Sequence, residues 1–218
     1  AIGVVISTPG LFGADRSRRG PLPEELVGVL RQAWAGEPFE FRGATIVVRP
    51  LPLTPGGPML AVGGSVAASA KRAARLGLPL FAGHNDPELG EIYQAECARL
   101  GHEGGWTMIP SGPMFVHVSD DPERDWARIG PIALDDAAVM ASWQTAGNRS
   151  LVDSAATTLH DLRLEGTYRV VTPDECVELC RQVHTLTLHP LMGGLDPDLS
   201  WASLELFESD VLPRLRAN

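Results

Sequence analysis

The segment from Pro58 to Gly77 contains the residues best suited to chemistry. Its sequence, PMLAVGGSVAASAKRAARLG, reads as a short apolar strand that passes through Gly63 and Gly64 into an alanine-rich helix. Glycines let the main chain approach a ligand closely, and Ser65 is expected to be the helix N-cap. Free N–H groups and the helix dipole favour a bound anion at such a junction. The pattern fits both a phosphate site and a simple tight turn.

Three histidines lie at or near strand ends. His84 follows an apolar strand, where it fits either a ligand-contacting role or the commoner role of a helix-entry loop. His117 alternates with apolar residues inside a strand, which favours a structural, hydrogen-bonding histidine. His189 precedes the paired glycines of residues 192–194, and a turn into the last helix is the favoured interpretation there.

The remaining reactive side chains do not form a metal or nucleophile motif. Cys97, Cys176 and Cys180 make an odd count without metal-ligand spacing, which is typical of a reducing compartment. Cys176 and Cys180 are four residues apart in a predicted helix and are interpreted as packing residues rather than zinc ligands. Asp120 and Asp121 precede a proline and are expected to open a helix. No nucleophile elbow, P-loop or HExxH pattern occurs, and we predict no metal site.

Composition restricts the class of protein. The chain has 218 residues, of which 44% are hydrophobic and 21% charged, as in an ordinary globular domain. A net charge of −9 argues against a nucleic-acid surface, although Arg16, Arg18 and Arg19 form a basic loop. No stretch reaches the ~20 apolar residues of a membrane span, and no targeting segment is recognisable, so we expect a cytoplasmic protein. Because Ala1 opens directly inside the apolar run AIGVVIST, we also expect that sequence is missing upstream.

Short apolar strands alternate with helices along the chain, a pattern typical of parallel β/α units. Barrels built from parallel β/α units carry their sites at the carboxyl ends of the strands. The predicted strands are Ile2–Ser7, Pro58–Val62, Leu78–Ala82, Met114–Val118 and Thr185–Leu188, and a pair of short extended pieces is expected between Phe39 and Val48. The predicted helices are Leu22–Ala35, Ser65–Leu76, Glu88–Leu100, a helical region from Glu123 to Trp143, Glu175–His184 and Pro197–Arg216.

Six segments together resemble the luciferase-like monooxygenase family of flavin- or deazaflavin-dependent enzymes. They are GVVIST, FGADRSRRGPLPEELVGVLRQAWAGEPFEFRG, PGGPMLAVGGSVAASAKRAARLG, DDPERDWARIGP, EGTYRVVTPDECVEL and HPLMGGLDPDLSWASLELFESDVLPRLR. The resemblance covers nearly the whole chain and is most specific at residues 34–43, 63–77 and 189–213.

The resemblance implies an α/β fold of the (β/α)8 TIM-barrel type that is incomplete in this chain. Strands four to eight would be Ile2–Ser7, Pro58–Gly63, Leu78–Ala82, Met114–Val118 and Thr185–Leu188, and strands one to three would be absent. Residues 1–218 are therefore expected to form a single partial barrel domain.

The resemblance also implies a site for the cofactor phosphate, formed by backbone N–H and hydroxyl groups after the fifth strand. On this sequence those residues are Gly63, Gly64, Ser65, Val66 and Ser69. The fourth-strand arginine by which bacterial luciferase contacts the phosphate has no counterpart in residues 4–7, so reduced FMN and the deazaflavin coenzyme F-420 both stay open as cofactors. The family's catalytic histidine lies in the early strands, so no catalytic residue is named.

The predicted function is that of a flavin- or deazaflavin-dependent oxidoreductase or monooxygenase acting on a small organic substrate. The chain would be an N-terminally truncated member, inactive alone, and a homodimer is the expected assembly because an incomplete barrel exposes unpaired strand edges. Two alternatives stay open: a non-catalytic flavin-binding protein, and a subunit that depends on a partner chain.

Overall fold

The computed structural model describes residues 21–144, 152, 154–183 and 185–216. The predicted strand Ile2–Ser7 and the arginine loop lie outside the described residues. The helices are α1 (Pro21–Ala35), α2 (Ala67–Leu76), α3 (Pro87–Leu100), α4 (Pro122–Ser142), α5 (Leu159–Glu165), α6 (Pro173–Gln182), α7 (Pro197–Leu206) and α8 (Leu212–Arg216). The strands are β1 (Phe39–Phe41), β2 (Ala44–Ile46), β3 (Val62–Gly64), β4 (Leu80–Ala82), β5 (Thr107–Met108), β6 (Phe115–Val118) and β7 (Tyr168–Val171).

These elements group into two compact units. The first contains the residues up to Phe81 together with Glu88–Met108, and the second contains Ala82–Pro87 together with the chain from Ile109 onward. Both have the α/β character that the strand and helix pattern predicts. None of the described helices is long and apolar enough to cross a membrane.

The first unit contains a short hairpin, a three-stranded sheet and the alanine-rich helix α2. Strands β1 and β2 pair antiparallel around Arg42 and Gly43, whose φ angles of 52° and 80° suit a tight hairpin turn, and this confirms the predicted pair of extended pieces. Strands β3, β4 and β5 form one sheet in that order, and β4 pairs parallel with β5. Helix α2 packs on β3 through small side chains that are fully buried: Ala70, Ala73 and Ala74.

In the second unit, the parallel pair β6–β7 separates two hydrophobic clusters. The pleat of β6 sends Phe115 and His117 to one face and Val116 and Val118 to the other. Phe115 lies in a cluster with residues of α4, α5 and α7, among them Ile129, Leu162 and Leu199. Val116 and Val118 lie in a second cluster with Val171, Cys176, Val177, Leu179 and Val211. Both faces of this sheet are therefore covered by helices.

The free edge of β6 is satisfied by a side chain. In a two-stranded sheet, one edge of each strand lacks a neighbouring strand. The backbone N–H of Val118 donates instead to the hydroxyl of Ser203 in α7, at 2.7 Å. Ser203 is buried, with 5% of its surface exposed, so water does not compete for this N–H group. The hydrogen bond fixes α7 along the edge of the strand.

The strand predictions were partly wrong. Residues 185–188 are irregular rather than extended in a ladder, because Leu186 and Leu188 pack against the cluster around Val177 and no strand of the described part of the chain pairs with them. Strands β5 and β7 were not predicted. The strand expected at Pro58–Val62 begins later, at Val62, and includes both glycines.

The helix starts were predicted better, because their signals are local. The Asp121 carboxylate accepts from the N–H of Arg124 and opens α4, as expected for the helix beginning there. Thr172 and Glu175 form a reciprocal capping box at the start of α6. The closing helix is continuous but passes through a π-helical stretch at Phe207–Val211 between α7 and α8.

Replacing Ser203 by alanine should destabilise the second unit. The substitution leaves the buried N–H of Val118 without an acceptor, and we expect the free energy of unfolding to fall by about 1–3 kcal/mol. Urea denaturation measures this change. Ser209→Ala is the matched control, since Ser209 is exposed and bonds only to the neighbouring Asp210 in the same closing helix. Equal unfolding midpoints for the two variants would contradict the proposed role of Ser203.

Candidate functional site

The turn between β3 and α2 differs in one respect from the sequence-based expectation. The prediction that Ser65 caps the helix is wrong. Helix α2 begins at Ala67, two residues after Ser65, and its N-cap is Val66 in an extended conformation, with φ −141° and ψ 155°. The glycines belong to the strand, which moves the helix start toward the carboxyl end of the chain. Because valine has no side-chain acceptor, no side-chain hydrogen bond caps the helix.

The two glycines of this turn have different roles. A Cβ on Gly64 would overlap the side chain of Ser69, so Gly64 is needed for Ser69 to pack beneath the turn. Ser69 is correspondingly buried, with 7% of its surface exposed. At Gly63 the nearest atom to such a Cβ is the Phe81 carbonyl oxygen, at 4.0 Å, and the residue is exposed. The open main chain of the turn is therefore at Gly63.

The electrostatics of the turn suit an anion. The first N–H groups of any α-helix lack intrahelical acceptors, and in α2 these belong to the exposed residues Ala67 and Ala68. No acidic side chain lies in the first turn of α2. Two of the three cationic side chains further along the helix are paired, since Arg72 and Arg75 lie 3.6 and 3.1 Å from the Glu24 carboxylate, while Lys71 is exposed. The main-chain donors at the turn are the groups at the helix start that could hold a phosphate.

The structure therefore brings the five predicted site residues into one turn. Gly63, Gly64, Ser65 and Val66 are consecutive, and Ser69 lies under Gly64 through the packing contact described above. Whether they bind a cofactor stays a prediction.

A second polar cluster, which the sequence analysis missed, lies at the carboxyl end of β6. The Ser119 hydroxyl donates to Oδ2 of Asp125 at 2.6 Å and accepts from the N–H of Asp121 at 2.9 Å. Arg124 donates to both carboxylate oxygens of Asp125, at 2.9 and 3.2 Å. His117 Nε2 lies 3.8 Å from Oδ2 of the same carboxylate. These groups line a cleft of about 300 Å³ together with residues of α7.

The charges of this cluster follow from its contacts. Hydrogen bonds from Arg124 lower the pKa of Asp125 against the opposing effect of burial, and Ser119 adds to the lowering. Burial lowers the pKa of His117, an effect that Asp125 opposes and Arg128 supports. The favoured state is a neutral imidazole beside an ionised carboxylate. One pattern in the sequence could have indicated this cluster: Ser119 follows a predicted strand, and Asp125 lies in the first turn of the next helix.

The glycine pair and His189, which the sequence analysis assigned to a turn into the last helix, have structural roles. Gly193 and Gly194 have φ angles of 60° and 81°, and a Cβ on Gly193 would come within 2.7 Å of Ile132, so the glycines make the turn into α7. His189 accepts the N–H of Met192 through its backbone carbonyl in that turn.

The cysteines and the remaining histidine have distinct environments. Cys176 is fully buried, and burial raises the pKa of its thiol to about 12, which suits a packing residue. Within the described ranges, no His, Cys, Asp and Glu side chains are grouped so as to hold a metal ion. His84 is also buried, and its Nε2 lies 3.5 Å from Oδ2 of Asp86.

Comparison with known proteins gives one family and one fold. Residues 7–189 match the family described as luciferase-like monooxygenase. The fold resembles the oxygenating constituent of 3,6-diketocamphane monooxygenase, a type II Baeyer–Villiger monooxygenase from the CAM plasmid of Pseudomonas putida, solved with FMN. The TM-score is 0.60 at 17% identity, covering 99% of this chain and 70% of that chain. No curated protein matches the chain.

A second solved structure is EDTA monooxygenase from Chelativorans sp. BNC1. The TM-score is 0.54 at 18% identity, covering 100% of this chain and 64% of that chain. This chain therefore spans less than two thirds of the length of the EDTA enzyme. At these identities the two structures support an α/β fold of the TIM-barrel type, while the described part of this chain has three separate sheets.

Acid should destabilise the protein through His117 and Asp125. Because burial lowers the pKa of folded His117, the unfolded chain takes up the proton first, and stability falls as the pH drops below about 6.5. The lowered pKa of Asp125 acts in the same direction below about pH 4, where the unfolded carboxyl begins to protonate. We expect His117→Gln to flatten the dependence of unfolding free energy on pH in the range just below about pH 6.5, as measured by urea denaturation.

The control for this measurement is His160→Gln, which removes an exposed imidazole from the second unit. If both variants show the same slope as the unsubstituted protein, His117 does not account for the acid sensitivity.

Proposed function

Because this chain belongs to the luciferase-like monooxygenase family, we propose that it forms part of a flavin-dependent oxidoreductase that oxygenates a small organic substrate. The observation that carries the proposal is the turn between β3 and α2. It combines an exposed glycine, a helix N-terminus without a side-chain cap and a first turn without acidic residues.

The residues of this turn fit the phosphate of a flavin nucleotide. The main chain at Gly63 is open, so a phosphate oxygen has access to it. Ala67 and Ala68 carry first-turn N–H groups, and their methyl side chains leave room beside them. The helix dipole adds favourable electrostatics at the same end. Gly63, Gly64, Ser65 and Val66 would hold the phosphate, with Ser69 supporting the turn from beneath.

This arrangement gives the cofactor and the protein different roles. Reduced flavin, when bound, supplies the electrons that activate molecular oxygen. The chain contributes anchoring by main-chain donors, and anchoring restricts the orientations available to the bound molecule. Since none of the five turn residues carries an acidic or basic side chain, the turn itself supplies binding rather than proton transfer.

The identity of the cofactor is part of the proposal. The diketocamphane enzyme was solved with FMN, which favours FMN for this chain as well. Coenzyme F-420 is the second candidate, because it too carries phosphate that main-chain donors can bind. Titration of the protein with FMN and with F-420, followed by fluorescence, distinguishes the two. A protein that binds neither would contradict the proposed function.

Turnover separates the enzyme from a non-catalytic flavin-binding protein or a partner-dependent subunit. Oxygen consumption is measured with reduced flavin and candidate substrates. Flavin binding without turnover supports one of the two alternatives, and recovery of turnover on adding a second chain identifies the subunit.

An acidic residue at the start of α2 tests the phosphate site directly. Ala67→Glu places a carboxylate at an exposed first-turn position, where it stabilises the helix dipole but repels phosphate. We expect FMN affinity to fall roughly tenfold, the equivalent of about 1.4 kcal/mol, while the melting temperature does not fall. Riboflavin, which lacks the phosphate, should bind both proteins alike in the same fluorescence titration.

The matched control is Ala95→Glu, which adds the same charge at an exposed position in the middle of α3. It should leave FMN affinity unchanged. Equal losses of FMN affinity in both variants would attribute the effect to net charge, and equal losses for FMN and riboflavin would exclude a phosphate contact at Ala67.

A further inference from the structure

A cavity of about 440 Å³ lies at the amino ends of the parallel pair β6–β7. Its walls are formed by residues 111–113 before β6, by residues 165–167 before β7, by Arg169 and by the end of helix α6. All of these residues belong to the second unit. The cavity shares no residue with the cleft around Asp125, which lies at the carboxyl end of β6. It is therefore a separate place at which a small molecule could bind.

Arg169 is an unusual residue for its place in β7. Parallel strands that are covered on both faces are usually apolar throughout, and the other residues of β7 are Tyr168, Val170 and Val171. The pleat places Arg169 on the same face as Val171, which packs against α6. The charge of Arg169 also acts on the buried thiol of Cys176 in that helix, where it opposes the rise in pKa that burial causes. The arginine side chain therefore lies on the α6 side of β7, where the cavity is.

No acidic side chain compensates this arginine. Among the described arginines, Arg72 and Arg169 are partly buried and the others are exposed. Arg72 lies 3.6 Å from the Glu24 carboxylate, whereas the guanidinium of Arg169 forms no ion pair or hydrogen bond with any described residue. The acid that lines the cavity, Glu165, is engaged elsewhere, because its carboxylate accepts from the Ser154 hydroxyl at 2.6 Å and from a neighbouring backbone N–H. A partly buried charge without a counter-charge bears a desolvation cost.

Neutral groups in the walls of the cavity can complete a site for an anion. The hydroxyls of Ser111 and Thr167 form no hydrogen bond with the described residues, so both are available as donors. The amide of Gln182 donates to the Glu178 carboxylate at 2.9 Å and keeps a second N–H. A guanidinium offers a planar fork of N–H donors that matches two oxygens of a carboxylate or a phosphate. The cavity thus combines an unpaired cation with several neutral donors.

We propose that this cavity binds the carboxylate or phosphate group of a small molecule, and that Arg169 is the residue that binds its charge. The hydroxyls of Ser111 and Thr167 would donate hydrogen bonds to the same group. Carboxylate and phosphate present the same oxyanion chemistry to the guanidinium, and the experiment distinguishes them. The inference does not require a flavin, because the turn proposed for the flavin phosphate belongs to the first unit and shares no residue with the cavity.

Protection from phenylglyoxal, which modifies accessible guanidinium groups, tests the site in the unsubstituted protein. Modification of each arginine is followed by peptide mass spectrometry in chloride, inorganic phosphate, glycerol phosphate, acetate or succinate at equal ionic strength. We expect a saturating oxyanion to slow modification of Arg169 about tenfold and that of Arg216 less than about twofold. Arg216 is the internal control, because it is exposed and also has no partner among the described residues.

The pattern of protection identifies the ligand class. Protection by the two phosphates alone assigns the site to a phosphate, and protection by acetate and succinate alone assigns it to a carboxylate. Equal slowing at Arg169 and Arg216, or no slowing at Arg169, overturns the inference.

Thermal unfolding of an Arg169→Met variant gives a second measurement. Without added oxyanion, its melting temperature should equal or exceed that of the unsubstituted protein, because the variant lacks an uncompensated, partly buried charge. The rise in melting temperature that the protecting anion produces in the unsubstituted protein should be reduced in the variant. Arg181→Met is the matched control, since it removes an exposed arginine of α6 that lies 3.8 Å from the Glu178 carboxylate. It makes the same change in net charge and should keep the full rise.

The outcomes separate this inference from the proposed function. Phosphate bound at the α2 turn would also raise the melting temperature, but Arg169→Met leaves that contribution in place. If Arg169→Met keeps the whole anion response, or if Arg181→Met loses as much of it, this inference is overturned and the proposed function is untouched. A protein that binds neither flavin but shows the Arg169-dependent response overturns the proposed function alone. If Arg169→Met does not fold, protection of Arg169 in the unsubstituted protein decides by itself.

Discussion

The parallel pairing of β6 with β7 is the constraint on which the second unit depends. Four residues of each strand pair in register, from Phe115 opposite Tyr168 to Val118 opposite Val171. Because the pleat has a period of two, this register sends alternate side chains into two different hydrophobic clusters. A shift of one residue would exchange the two sets and place His117 among the aliphatic residues of α6. The polar cluster at the end of β6 exists only in the observed register.

The sequence predicted helices better than strands, and the reason is the range of the interactions involved. The capping box of Thr172 and Glu175 and the N-cap of Asp121 lie within four residues of the helices they begin, so a local pattern suffices. A strand depends on a partner that is distant in the chain. Tyr168–Val171 is a strand because β6 lies beside it, whereas the equally apolar residues 185–188 have no partner strand in the described part of the chain.

The glycine turn shows a second limit of sequence patterns. Gly63 and Gly64 are adjacent and of one residue type, yet the packing of Ser69 requires Gly64, whereas no atom of the described residues requires Gly63. Composition could therefore predict a turn at this place but could not assign its glycines to packing or to access. The position of Ser65 was misjudged for a related reason: the strand includes both glycines, so the helix starts at a residue that cannot cap it.

His84 and His117 illustrate what the structure adds to the interpretation of two histidines from the sequence. His117 lies within β6, whereas His84 follows the end of β4 by two residues; both are buried, and both have an aspartate nearby. At His117 the carboxylate is shared with Ser119 and Arg124, so the cluster is internally satisfied and its loss would cost stability. At His84 one nitrogen faces a carboxylate and the other has no partner, so the protein bears a desolvation cost that its own residues do not offset.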